Sequence, residues 1–339
     1  MIWVLILCGG LWVLGRRLGI TGLRRLAVVG SVWLLAFLVL CLPLDTGTDD
    51  LRVWVLASLM AMVGVGYTEV FKQLKLRVKK PETTTARSAA FQPAELERYA
   101  RHIMLREIGG PGQKALKSAK VLVVGAGGLG SPALMYLAAA GVGVIGVVDD
   151  DVVDASNLQR QIIHTTQKVG SEKVLSAKQA MLALNPFVEV RTHPVRLGED
   201  NADIITGYDL ILDGSDNFDT RYLVNRLAAK AGKPLISGAI TQWEGQISLY
   251  DPAHGTPCYE CIFPNRPAPG MVPTCAEAGV AAPLPGVIGS MMAMEAVKHL
   301  VGAGEGLKGR LMIYDALYAE VRVIGIKRRE DCKACGVSH

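Results

Sequence analysis

Beyond residue 80 the chain has no surplus of either charge: residues 81–339 carry 26 Lys/Arg against 27 Asp/Glu. A nucleic-acid footprint needs a basic stripe or patch, and none is present in this part. Histidine is scarce, six in all. His102, His164 and His254 stand at no metal-ligand or catalytic spacing and read as structural or exposed residues. No internal repeat or low-complexity tract occurs. Positive charge is also missing before the first apolar stretch. Arg16, Arg17, Arg24 and Arg25 follow it, the reverse of the order in a cleaved signal peptide.

What is plentiful is apolar length at the start, in a chain that is 50% hydrophobic. Residues 1–80 hold 10 Lys/Arg and 4 Asp/Glu, and three uncharged stretches, Met1–Gly15, Leu26–Leu44 and Val53–Thr68. A span needs roughly 20 apolar residues, so residues 1–78 are expected to form a membrane anchor of two or three transmembrane helices. The 16–25 connection is basic and the 45–50 connection is acidic. Lys72, Lys75, Arg77, Lys79 and Lys80 follow the third stretch. The positive-inside rule then puts everything after Lys80 on the cytoplasmic side of the inner membrane. Residues 79–92, polar and interrupted by Pro81, read as a linker, which leaves 93–339 as the working domain.

Within 93–339 the pattern is α/β. Lys120–Gly125 is a continuous apolar run, the signature of a strand buried on both faces. It ends in GAGGLG, 125–130, before a helix of small residues. Later apolar strands alternate with helices, among them Lys173–Leu184. A Rossmann-like fold with a largely parallel mixed sheet is expected.

Strand, GxGxxG, helix, strand and then an acidic residue form a nucleotide-binding fingerprint, with Asp149 at the ribose position. Glycines let backbone approach phosphate, and a helix N-terminus supplies donors. Ser156, Asn157, Leu158, Gln159 and Arg160 follow, then Lys173. Cations there suit a triphosphate that loses pyrophosphate, because negative charge must be held as it redistributes. Asp213 and Asp216 end a strand, where a carboxylate can hold Mg²⁺; the alternative is that Asp216 caps the next helix.

Of seven cysteines, Cys258/Cys261 and Cys332/Cys335 form two CxxC pairs, and Cys275 stands apart in a Pro/Gly/Ala-rich stretch. Four thiolates make the closed tetrahedral shell of a structural Zn²⁺. A redox pair is the alternative for either CxxC alone.

GAGGLG, DDD, SNLQRQ, the lysine of VGSEK, DGSDN and the two CxxC pairs, in order from about Glu97 to Gly336, resemble the ThiF/MoeB/HesA family of the ubiquitin-activating-enzyme superfamily. The resemblance implies an ATP-dependent adenylyltransferase. Such an enzyme would activate the C-terminal glycine carboxylate of a ubiquitin-like sulfur-carrier protein ending in Gly-Gly and release pyrophosphate. It implies Gly128 beside the ATP phosphates and Asp149 on the ribose. Asn157, Arg160 and Lys173 fall on the phosphates, and Asp216, with Asn217 beside it, on Mg²⁺ and ATP. Arg101 would reach the ATP of a neighbouring subunit in a homodimer. Cys275 matches a cysteine that some relatives link covalently to the carrier.

WEGQISLYD and LMIYDA are similar to the molybdopterin-synthase adenylyltransferases, whose carrier is that synthase's small subunit; VVDDDVVDASNLQRQI is also similar to the thiamine-pathway branch. No rhodanese-like domain follows Cys335, so a separate sulfur donor is implied. Two other readings use the same residues. An NAD-dependent dehydrogenase leaves SNLQR, Lys173 and the CxxC pairs without a role. A non-enzymatic zinc scaffold leaves Arg160, Lys173 and Asp216 without one.

Overall fold

The computed structural model describes residues 90–267 and 279–336, all within the second of two units into which the chain divides, Ser88–His339. Its centre is an eight-stranded sheet. Strands β1 (Lys120–Val124), β2 (Val144–Val148), β3 (Glu189–His193), β4 (Leu210–Asp213) and β5 (Leu235–Ile240) are joined by parallel pairs. Strands β6 (Glu244–Tyr250), β7 (Arg310–Asp315) and β8 (Glu320–Gly325) follow antiparallel. The order is β3-β2-β1-β4-β5-β6-β7-β8. The change of sense has a local cause: β5 and β6 are separated by the short turn 241–243, too short for the crossover that a parallel neighbour requires.

The helices are α1 (Pro93–Ile103), α2 (Gly109–Ser118), α3 (Gly130–Ala140), α4 (Lys173–Leu184), the single turn α5 (Asp203–Thr206), α6 (Phe218–Lys230), the turn α7 (Tyr259–Ile262) and α8 (Leu284–Val301). β1 shows why two layers form. Val121 and Val123 join a core with Leu134, Leu137, Met181, Ile288 and Met292, whereas Leu122 and Val124 face a second core with Tyr208, Tyr222, Leu227 and Tyr250. Period-two alternation in an all-apolar strand supplies both faces at once. β1 is flanked by β2 on one side and β4 on the other. The carboxyl ends of these strands therefore open a crevice where the order reverses.

Membrane helices were part of the expected fold class, and that part is corrected. Among the described residues no helix is long and apolar enough to cross a membrane. The three apolar stretches of residues 1–78 lie outside the described residues. α8 is the longest helix described, with 18 residues, and it spends its apolar side chains on the core, where Leu284, Ile288, Met292 and Ala296 are buried. The fold is a Rossmann-like α/β domain with a mixed sheet. No described helix supports the inner-membrane location that rested on those stretches.

Candidate active site

The crevice is floored by the glycine loop between β1 and α3. Gly125 has φ of +91°, in the left-handed region, and its N–H donates to the Val148 carbonyl at 2.8 Å. A Cβ on Gly130 would stand 1.9 Å from the Gly125 carbonyl oxygen, so the loop doubles back with no room for a side chain. Gly128 packs under Pro285 at the start of α8, where an added Cβ would meet the proline Cβ at 3.0 Å, and it lies against the stem of Arg160. Gly130→Ala is expected to cost about 1–3 kcal/mol of stability in thermal melting. Gly127→Ala, whose nearest neighbour would be Gln161 Nε2 at 3.6 Å, is expected to be near neutral. Equal melting of the two variants would show that the close turn is not constrained.

Asp149 follows the end of β2. Its Oδ2 accepts from Ala126 N–H at 2.7 Å and its Oδ1 from Asp151 N–H at 2.9 Å, so the carboxylate braces the loop. Burial pushes its carboxyl above the usual carboxylate range, opposed by the Ala126 N–H bond and by the Lys173 charge. Lys173, the first residue of α4, is buried and places Nζ 2.7 Å from the exposed Asp151 carboxylate. Asp149, Asp151 and Lys173 thus form one connected group.

Across the segment after β2, Arg160 donates to Asn157 Oδ1 at 2.9 Å. Ser156 is tied to Asp154: its N–H and hydroxyl both donate to Asp154 Oδ1, at 2.8 and 2.5 Å. Leu158 is half-buried and Gln159 exposed.

The DGSDN segment separates into different jobs. Asp213 is fully buried. It accepts from Ser215 N–H, Ser215 Oγ–H and Ser237 Oγ–H, and lies 3.9 Å from Arg221. With its oxygens taken up by these partners, it is a structural residue rather than a candidate for Mg²⁺. Asp216 is exposed. The helix cap that the sequence offered to Asp216 is made by Asn217, whose Oδ1 accepts from Thr220 N–H at 2.8 Å at the start of α6. The segment abuts the glycine loop, since a Cβ on Gly125 would lie 3.1 Å from the Gly214 carbonyl oxygen.

Arg101 is exposed on α1, and among the described residues no hydrogen bond or ion pair joins it to the loop. Cys275 lies outside the described residues. His102 shares a hydrogen with Gln113 at 3.3 Å, and His254 pairs with Asp251 at 2.8 Å. His164 proves buried beside the glycine loop, a placement that its spacing in the sequence gave no means of finding.

The cysteine pairs converge. Cys258 Sγ lies 3.8 Å from Cys261 Sγ and 3.5 Å from Cys332 Sγ, and Cys261 Sγ lies 3.5 Å from Cys335 Sγ. All four sulfurs fall within 4.8 Å of one another. A tetrahedral zinc with bonds of about 2.3 Å needs sulfurs about 3.8 Å apart, so the donor set fits. Burial pushes the Cys258 thiol up, and burial likewise raises Cys335 to about 11. Four thiolates so close, three of them on buried cysteines, repel one another unless a cation sits among them. Asn225 braces the cluster, its Oδ1 accepting from Tyr259 N–H at 2.8 Å next to Cys258.

Comparison with known proteins supplies a family. The model of the ThiF family matches residues 99–334. A sulfur carrier protein adenylyltransferase of Thermus thermophilus is 53% identical over 247 residues, covering 71% of this chain and 91% of that protein. The SAMP-activating enzyme E1 of Haloferax volcanii is 47% identical over 243 residues, covering 71% and 89%. The adenylyltransferase and sulfurtransferase MOCS3 of Mus musculus is 44% identical over 284 residues, covering 83% of this chain and 61% of that one. Among solved structures, E. coli MccB matches with a TM-score of 0.62 at 23% identity, covering 70% and 74% of the two chains, a likeness of fold.

Proposed function

Because the chain belongs to the ThiF family, we propose that it is an ATP-dependent adenylyltransferase that activates the C-terminal glycine carboxylate of a ubiquitin-like sulfur carrier, the small subunit of molybdopterin synthase. A carboxylate oxygen of the terminal glycine attacks the α-phosphorus of ATP. The P–O bond to the β-phosphate breaks, and pyrophosphate leaves with that electron pair. The acyl-adenylate is then open to a separate sulfur donor. The step asks the protein for no nucleophile of its own. It asks for two anions held in line and for cover of the charge that moves to pyrophosphate.

The observation that carries this reading is the buried Lys173, fixed at the first turn of α4 and joined to Asp149 through Asp151. In this reading Asp149 takes the ribose hydroxyls and Gly128 lets backbone lie against phosphate. Asn157 and Arg160 act with Lys173 on the triphosphate, and the backbone of Ser156, Leu158 and Gln159 holds that segment to its shape. The exposed Asp216, beside the capping Asn217, would hold Mg²⁺, which screens phosphate oxygens. Cys258, Cys261, Cys332 and Cys335 would hold zinc and staple the C-terminal tail to the α7 turn. Arg101 acts on the neighbouring copy's ATP in a homodimer, and residues 93–339 form the adenylating domain.

The test is ATP–pyrophosphate exchange by the full chain, with carriers ending in Gly-Gly and with the same carriers lacking the last glycine. Exchange is expected only with the intact tail. Absence of exchange with every carrier would sink the reading.

A further inference from the structure

We infer that His164 is a positioning residue for this reaction: as the Nε2–H tautomer it fastens α4, which carries Lys173, to the glycine loop that Asp149 braces. The inference rests on the adenylyltransferase reading for its consequence, and on geometry alone for the tautomer.

His164 is buried, with Nε2 2.9 Å from the Ala126 carbonyl oxygen and Nδ1 2.9 Å from Ser176 Oγ. A carbonyl oxygen only accepts, so Nε2 must carry the hydrogen. In the neutral ring Nδ1 then accepts from the Ser176 hydroxyl. Burial holds this imidazole below the usual histidine range, which keeps it neutral near pH 7. Ala126 is engaged on its other side as well, its N–H donating to Asp149 Oδ2 at 2.7 Å. Ser176 stands one turn beyond Lys173 on α4, and two residues at that separation share a helix face.

The links close on themselves. Asp149 Oδ2 accepts from Ala126, whose carbonyl accepts from His164, whose Nδ1 accepts from Ser176 on α4. From the same helix Lys173 reaches Asp151, whose N–H returns to Asp149 Oδ1. The lysine that would meet the phosphates and the carboxylate that would meet the ribose therefore have their spacing set by one circuit. His164 is its uncharged tie.

The experiment uses the full chain at 25 °C and compares His164→Leu with His164→Gln. The glutamine amide nitrogen lies as many bonds from the backbone as Nε2 and keeps the donor to Ala126; leucine keeps neither link. In ATP–pyrophosphate exchange His164→Leu is expected to raise the KM for ATP about tenfold with kcat within about threefold. His164→Gln, which keeps the Ala126 link and loses the Ser176 link, is expected to recover only part of that rise, to a KM about threefold above wild type, although both variants melt lower. An unchanged KM in His164→Leu, or no recovery in His164→Gln, overturns the inference. Imidazole ¹⁵N shifts of the nucleotide-free protein at pH 7 decide the tautomer independently. Protonation at Nε2 is expected, and a hydrogen on Nδ1 alone overturns the inference even if no carrier supports exchange. Absence of exchange in wild type, with Nε2 protonated, counts against the proposed function instead.

Discussion

Lys173→Met is expected to slow carrier-dependent ATP–pyrophosphate exchange about 100- to 1,000-fold, with melting almost unchanged. The size follows from removing one preorganised cation from a site where charge develops on phosphate oxygens. The near-constant melting follows from what is left behind. The Lys173 side chain is 6% exposed, and Asp151, its partner, is 66% exposed. Methionine refills the buried stem, and the released carboxylate faces water rather than the core. Exchange within tenfold of wild type would remove Lys173 from the phosphate site. A large fall in melting temperature would show instead that the ion pair holds the fold.

Cys258→Ser and Cys332→Ser are each expected to abolish tight zinc binding and to lower melting by about 10 °C. Closing a long stretch of chain with a metal clip stabilises by about 4 kcal/mol, from the restricted unfolded state alone, for two ends 74 residues apart. In a domain of this size about 2–4 °C corresponds to each kcal/mol. Metal content per chain and thermal melting are the measurements, with chelator-treated wild type as the comparison. One zinc per chain together with normal melting, in either variant, would refute the clip.

Where one residue type could satisfy only one physical requirement, the sequence was enough. The run KVLVV had to be a strand buried on both faces, and GAGGLG had to turn sharply, because Gly130 admits no Cβ. The helix Lys173–Leu184 has its expected ends, and Asn185-Pro186 follows its last residue. The four cysteines gather as their pairing suggested.

The sequence is silent where burial decides between chemically equal residues. Asp213 and Asp216 are the same side chain three positions apart, yet the first is enclosed by Ser215, Ser237 and Arg221 and the second is exposed. β8 reads poorly because all six of its residues are exposed and neither face is patterned. α8 is obscured by Pro285, Gly286 and Gly289, although the last is needed: a Cβ there would lie 2.3 Å from the Leu129 carbonyl oxygen. The partnership of His164 with Ala126 and Ser176 spans distant segments and has no local signal. The expected membrane helices came from apolar length in residues 1–78, and no described helix crosses a membrane.

The sulfur cluster also changes what a broken chain would look like. Residues 258–261 and 332–335 bring their sulfurs within 4.8 Å of one another, and α8, β7 and β8 lie between them in sequence. With metal in place this stretch is a closed ring, so a single proteolytic nick inside it yields two polypeptides but not two particles. They would run as one species in a native gel and as two only after denaturation and chelation, so an intact native band says nothing about whether the backbone is whole.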